Sequence, residues 1–326
     1  MTTDAAAAGP AEGAASAGIV VAGVARSFGK VHAVRDATLT VPYGSVTALV
    51  GPNGSGKTTL LLMLASLLRP DAGRILIAGS DPVTDPRAVR AAMGWMPDIL
   101  GSWASLTVRV TLELTGRLHG MPRERARRRA DELVALVGLE ALADQPTRVL
   151  SRGQKQRLSL ARSLVHDPRV LLLDEPASGL DPAARVELRT LVRRFADEGR
   201  SVLVSSHVLA ELEEMADAAV YLDAGTTVSA ERIRRARTSL RDWRIRALDA
   251  AALEAALTRL GVPARRDHLG TLVGVRSETD AAGLLTRLVG EGVPVAVFTP
   301  AVGELEHTFL DLTRDAGAQP EIGSES

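Results

Sequence analysis

The chain has 326 residues, with 39 lysines and arginines against 39 aspartates and glutamates, six histidines and no cysteine. A net charge of zero gives no long-range pull toward nucleic acid, so no nucleic-acid partner is expected, and the missing cysteines exclude disulfides, thiolate catalysis and cysteine zinc sites. The length suits one large α/β domain and a smaller second one. No apolar run approaches the ~20 residues of a membrane span, and the N-terminus lacks the basic and apolar segments of a signal peptide; the chain reads as soluble, with any membrane spans supplied by another polypeptide.

Residues 1–18 are rich in Ala and Gly with little to bury and are expected to form a disordered leader. Ile19 to Val24 and Ala37 to Val41 read as strands, with Ser27-Phe28-Gly29-Lys30 as the turn between them. Phe28 is one of four phenylalanines; in such a turn its ring can stack on a base or pack at a hairpin end. Val46 to Val50 is a short apolar run fit for a buried strand, and Thr59 to Leu68 has the pattern of a buried helix. Between them lies GPNGSGKTT, Gly51 to Thr59. A glycine-rich loop between strand and helix turns its backbone N–H groups onto a polyphosphate, and the helix N-terminus adds its positive end. Gly51, Gly54 and Gly56 allow the close approach, Lys57 is placed to reach the β- and γ-phosphates, and the Thr58 hydroxyl is placed to coordinate Mg²⁺.

Arg74 to Ile77 is a further strand, Asp81 to Arg90 a connection, and Met93 to Asp98 a strand stopped by Pro97. From Leu106 to Leu164 apolar residues recur at three and four, predicting helices over Val108–Leu118, Arg123–Val137 and Gln154–Leu164. Arg123, Arg125, Arg127, Arg128 and Arg129 form a dense basic cluster with Glu124, Asp131 and Glu132 beside it and read as a solvated helix face rather than a headgroup or partner contact. Arg169 to Leu173 is a buried strand that ends in Asp174-Glu175, and Ser201 to Val204 is another that delivers Ser205-Ser206-His207. Ligands of open α/β sheets sit at the carboxyl ends of the strands. There Asp174 can hold Mg²⁺, Glu175 can polarise an attacking water, and His207 can touch a γ-phosphate.

The order of these motifs resembles the ATP-binding cassette (ABC) ATPases over Ile19 to Ala230, most specifically in VLSRGQKQRLSLARSLVHDPRVLLLDEPASGLDP, Val149 to Pro182. The resemblance implies a P-loop α/β domain over residues 19–240 with an antiparallel β subdomain and a helical insertion at about 99–165. It implies ATP and Mg²⁺ as ligands, with the loop Gly51, Pro52, Asn53, Gly54, Ser55, Gly56, Lys57, Thr58 and Thr59 around the phosphates and Phe28 on the adenine. It further implies a head-to-tail homodimer, in which Ser151, Gly153 and Gln154 of the signature Leu150-Ser151-Arg152-Gly153-Gln154 face the partner's nucleotide. Glu175 is then the catalytic base, His207 the switch histidine, and Ser178 to Asp181 the loop joining the two sites. Three positions depart from the common pattern: Arg152 replaces a glycine, Asp98 stands where a glutamine contacts the metal, and Phe28 replaces a tyrosine. Asp98 keeps an oxygen for the metal and loses the amide donor.

Residues 241–313 form the second unit. Strands at Trp243–Leu248, Val262–Asp267, Thr271–Val275 and Pro294–Thr299 alternate with helices at Ala250–Leu260 and Asp280–Val289, the βαββαβ order of ferredoxin-like α+β folds; a sensor role is open to it. The closing GELEHTFLDLT, Gly303 to Thr313, resembles the tail of daunorubicin-resistance exporter ATPases, whose permease is a separate polypeptide. Residues 314–326 are expected to be a disordered tail. The expectation is an ATP-hydrolysing exporter subunit, cytoplasmic and peripheral to the membrane, with integral permease subunits as partners. The alternative is a soluble ABC switch acting on ribosomes or DNA, although no second cassette, coiled coil or zinc site supports it.

Overall fold

Residues 17–98, 101 and 104–317 are described by the computed structural model, beginning with two long antiparallel strands, β1 (Ala17–Phe28) and β2 (Val31–Pro42). Pairing runs past the expected limits at both ends. Ala17 and Gly18, expected in the leader, are strand residues. Ser27 and Phe28 pair with His32 and Val31, so the turn is only Gly29-Lys30. Gly29 has φ +58°, the positive value that a two-residue hairpin turn demands. The leader up to residue 16, Trp103 and the tail from residue 318 lie outside the described residues.

Strand β3 (Ser45–Val50) is buried at every position but its first, the pattern of a strand covered on both faces. Helix α1 (Lys57–Leu64) buries Leu60, Leu61, Met63 and Leu64 in the same core cluster as Leu49 of β3, each contributing about 2 kcal/mol of burial free energy. Strand β4 (Ala72–Ile77) pairs with β1. Helix α2 (Pro86–Ala92) occupies the segment that read as a connection; Asp85 accepts the Ala88 N–H at 3.1 Å and Pro86 opens the helix, a start signal carried by two residues. It leads directly into β5 (Met93–Met96). The helical section comprises α3 (Val108–Leu118), α4 (Arg123–Leu136) and α5 (Arg152–Ser163). On α4 the residues Ala126, Ala130, Leu133 and Val134 are buried, while Arg123, Arg125, Arg127 and Arg128 are exposed.

Beyond α5 the chain returns to the sheet through β6 (Val170–Asp174), α6 (Pro182–Asp197), β7 (Ser201–Ser205), α7 (Leu209–Glu213), β8 (Ala218–Asp223) and β9 (Thr226–Thr227). The sheet order is β4-β1-β2-β9-β8-β3-β7-β6-β5. Strands β8, β3, β7, β6 and β5 are parallel neighbours, and β1, β2 and β4 form an antiparallel wing. This is a mixed α/β sheet whose parallel part brings the ends of β3, β6 and β7 side by side.

The chain separates into two compact units at 228/229, so helix α8 (Ala230–Arg237) belongs with the C-terminal unit. That unit continues with β10 (Arg241–Ala247), α9 (Ala250–Arg259), β11 (Ala264–Asp267), β12 (Gly270–Val275), α10 (Glu278–Gly290) and β13 (Val295–Pro300). Its sheet is antiparallel, in the order β11-β12-β10-β13. Ile245, Leu253, Leu257, Val273, Leu284 and Leu288 make its core. The closing segment is helix α11 (Glu304–Gly317), with Leu305 and Leu312 buried and the His307 ring 3.0 Å from the Ser239 hydroxyl.

Two histidines join the helical section to the sheet edge. His119 caps the C-terminus of α3 and stacks on His166, ring centroids 3.9 Å apart and nearly parallel. His166 Nε2 lies 3.0 Å from the Met93 carbonyl of β5 and donates to it. Burial, with the neighbouring His119 adding to it, pushes His166 down to about 4, and burial also lowers His119. A depressed histidine pKa means that the unfolded chain binds more protons between pH 6.5 and 4, so stability falls as pH falls through that window. After allowance for solvent screening the loss is about 1–2 kcal/mol. Urea unfolding from pH 7 to pH 4 should show that slope, and His166→Gln should flatten it; an unchanged slope would remove the histidine stack as its source.

Candidate active site

The loop from Gly51 to Gly56 joins the carboxyl end of β3 to α1. Its glycines are held by contact and by conformation. A Cβ on Gly51 would lie 2.3 Å from the Leu222 carbonyl oxygen, and one on Gly56 2.3 Å from that of Ala33. Gly54 and Gly56 have φ +80° and +101°, which favour glycine. Gly56 provides no side-chain cap and the first turn of α1 has no acidic residue, so the free N–H groups there form an anion-binding end. Asn53 and Gly54 are exposed on the loop, Pro52 accepts the Ser55 N–H, and Thr58 and Thr59 stand in the first helical turn. The Ser55 hydroxyl is buried with no partner. Lys57 Nζ folds back to donate to the carbonyls of Gly51 at 2.6 Å and Pro52 at 3.1 Å. Burial holds this ammonium below the usual lysine range, against the opposing pull of Glu175 and Asp174.

The carboxylates arrive on the next parallel strands. Asp174 ends β6 in register with Ser205 of β7, whose hydroxyl donates to Asp174 Oδ1 at 2.5 Å. Burial pushes the Asp174 carboxyl above the usual range; the Ser205 bond opposes this, and the charges of Glu175 and Asp98 add to it. Asp98 follows β5, and its backbone N–H also bonds Asp174. Glu175 has φ +51°, a strained value for a residue with a side chain. Its backbone is held on both sides: its N–H donates to the Ser205 carbonyl at 3.1 Å, and its carbonyl accepts from Gln156 Nε2 at 2.7 Å. Its side chain meets His207 Nδ1 at 2.7 Å, the imidazole being 68% exposed and the carboxylate 17%. Lys57, Asp98, Asp174, Glu175 and His207 thus converge at one sheet edge.

The remaining expected residues lie apart from that cluster. Phe28 ends β1, is 48% exposed, and carries the Arg26 guanidinium 4.9 Å from its ring centroid; Asp71 in turn holds Arg26 at 2.6 Å. Ser151 caps α5, accepting the Gln154 N–H at 3.2 Å while Gln154 Oε1 accepts the Ser151 N–H at 2.8 Å. Gly153 packs on the loop after Glu175, where a Cβ would come 3.1 Å from the Gly179 oxygen. These bonds keep the signature within α5 and against its neighbouring loop.

Sequence reasoning missed the supports of the site. Ser205 was legible in principle, since aligning the ends of the two buried strands sets it opposite Asp174. Gln156 and Arg26 carry no motif signal; only the packing of α5 on the loop that begins at Glu175 and of β1 beside β4 reveals them.

A family model described as ABC transporter matches residues 34–178. The daunorubicin resistance ATP-binding protein DrrA3 of Streptomyces coeruleorubidus is 36% identical over 312 residues, covering 92% of this chain and 97% of that protein. The sulfate/thiosulfate import ATP-binding protein CysA of Synechococcus elongatus is 41% identical over 209 residues, covering 64% of this chain and 60% of that protein. Among solved structures, the dimeric post-hydrolysis ATP-binding cassette MJ0796, bound to ADP and Pi, superposes with TM-score 0.59 at 25% identity, covering 65% of this chain and 97% of that one. The family match and the DrrA3 likeness, which spans nearly all of both chains, show that the chain belongs to the ABC transporter family, as an ATP-binding subunit that hydrolyses ATP.

Proposed function

We propose that the chain powers an exporter of the daunorubicin-resistance type, hydrolysing ATP between two copies of itself beneath a separate membrane permease. The observation that carries export is the reach of the likeness. The importer ATPase matches a cassette's length of this chain, whereas the DrrA3 match, at 92% of the chain, extends into the C-terminal unit. That unit's strand order, β11-β12-β10-β13 with the order βαββαβ, supports a ferredoxin-like fold.

In this reading the uncapped N-terminus of α1, the Gly51–Thr59 loop and Lys57 bind the phosphates, and Phe28 stacks the adenine. The unpartnered Ser55 hydroxyl and the oxygens of Thr58, Asp174 and Asp98 suit a hard divalent cation beside them. Mg²⁺ there would neutralise charge on the β- and γ-phosphates. Glu175 draws a proton from the attacking water, and His207, now on Glu175, orients that carboxylate. Because Ser151 Oγ accepts the Gln154 N–H, its own proton stays available to a phosphate held by a second copy, and the N-terminus of α5 adds its positive end. A two-fold dimer places each signature on its partner's nucleotide.

The permease contact falls beside the Asp98 edge. A cleft of about 340 Å³ there is lined by Leu67, Trp95, Pro97, Thr115, His119 and Arg162, with Leu67 61% exposed. Among the described residues no helix is long and apolar enough to cross a membrane; in this reading the permease supplies the spans and the subunit sits at its cytoplasmic face. The test is ATP turnover of the purified chain, alone and with candidate permeases in lipid, while following Trp95 fluorescence. Stimulation by one permease is the expected result. Turnover and fluorescence that no permease alters would sink the exporter reading.

A further inference from the structure

The arginine that replaces a signature glycine makes a contact of its own. Arg152 Nη2 donates to the Ser178 hydroxyl at 2.6 Å. Its aliphatic stem lies over Gly179, where a Cβ would meet the Arg152 Cγ and Cδ at 2.8 Å; Gly179 also has φ +75°. Four residues further along α5, one helical turn, Gln156 donates to the Glu175 carbonyl at 2.7 Å. The two side chains therefore project from one face of α5 and grip both ends of the segment Glu175 to Ser178. That segment begins at a residue held at positive φ, so its geometry depends on being held.

We propose that Arg152 is a positioning residue, which with Gln156 forms a clamp that ties the N-terminus of the signature helix to the loop carrying the catalytic carboxylate of the same chain. This rests on the ATPase reading of Glu175 given above. Arg152 acts through Ser178: a shift of the N-terminus of α5, such as docking of a phosphate at Ser151 and Gly153, is passed through the guanidinium to Ser178 and so to the Glu175 backbone. A glycine in its place makes no such bond. The Arg152 side chain has the reach and the fork of donors to do so, and its charge makes the bond to the hydroxyl a strong one.

The experiment is a double-mutant cycle on the full chain with Arg152→Met, which keeps the stem, Ser178→Ala, and both together, read by kcat and KM for ATP and by amide hydrogen exchange of residues 176–181. Each single variant should lower kcat roughly 5- to 20-fold, with KM changed less than about twofold. The double variant should be no slower than the slower single one, because both remove the same bond. Arg152→Lys should recover part of the loss. Exchange at 176–181 should rise in Arg152→Met, while β1 and β4 in the antiparallel wing, away from the clamp, keep their protection and so report an intact fold. Effects that multiply, or exchange at 176–181 that stays at the wild-type level, would overturn the clamp. The failure of the underlying reading looks different: a wild-type chain without turnover, or a Glu175→Gln variant with full turnover, removes Glu175 as base, while the exchange result still decides whether Arg152 holds the loop.

Discussion

Replacing Glu175 by glutamine is expected to slow ATP turnover by roughly 10²–10⁴-fold, the contribution of a positioned general base, while ATP still binds. Glutamine has the same shape, so it can keep the strained backbone, the Gln156 and Ser205 bonds to that backbone, and a hydrogen bond to His207. What it lacks is a basic oxygen. The Lys57 loop and the Asp174 edge are untouched, so nucleotide affinity should stay within about threefold, and the proposed ATP-bound dimer should accumulate if hydrolysis is what separates it. Steady-state turnover and size measurements with and without ATP read both effects. Retention of more than about a tenth of the wild-type rate would remove Glu175 from the base role.

The second large effect is on binding. Lys57→Ala should weaken ATP binding by roughly 10²–10³-fold, since it deletes a charged donor from a partly buried phosphate site. The unliganded protein should not lose stability in proportion. Lys57 Nζ is held over the loop by two carbonyls, and burial disfavours its charge, so its removal relieves a desolvation cost as it deletes two hydrogen bonds. Thermal unfolding distinguishes the two consequences. ATP at 100 times its Kd stabilises the wild type by about 2.7 kcal/mol, and the same concentration should barely move the variant. A variant that keeps the full ATP-dependent shift would take Lys57 out of the phosphate site.

The phosphate loop, Asp174, Glu175 and His207 were legible because strand-end chemistry and a glycine-rich loop are local signals: each needs only a few consecutive residues and a buried run beside them. The four strands and two helices of the C-terminal sheet were legible for the same reason, their apolar periods changing between two and three to four. What escaped was set by distance along the chain or by caps at the ends of short elements. Helix α6 starts with Asp181 accepting the Ala184 N–H at 2.9 Å and Pro182 in its first turn, a start signal that the reading of Ser178 to Asp181 as a loop passes over. Strand β8 lies between β3 and β9 and has only two fully buried positions, so its pattern is weak. Arg152 was visible as a departure from pattern, yet its partner Ser178 lies 26 positions on and only folding brings them together. Phe28 was placed in a turn because glycine follows it, whereas cross-strand pairing with Val31 carries the strand through it.

The parallel part of the sheet has a consequence for how the protein comes into being. Strand β3 lies beside β7 and β8, and β6 between β7 and β5, so these neighbours in space are separated by up to 171 residues of chain, as Thr47 is from Ala218. On a ribosome working at roughly 5–20 residues per second, the phosphate loop emerges many seconds before Asp174, Glu175 and Ser205 do. Until then no strand exists to flank β3 on either side, and a nucleotide has nothing but a floppy glycine loop to bind. ATP therefore rewards only the finished sheet, and cannot act as a template for the nascent chain; substitutions that loosen β6 or β7 far from any phosphate will show themselves as poor yield of binding-competent protein rather than as weak binding by the molecules that do mature.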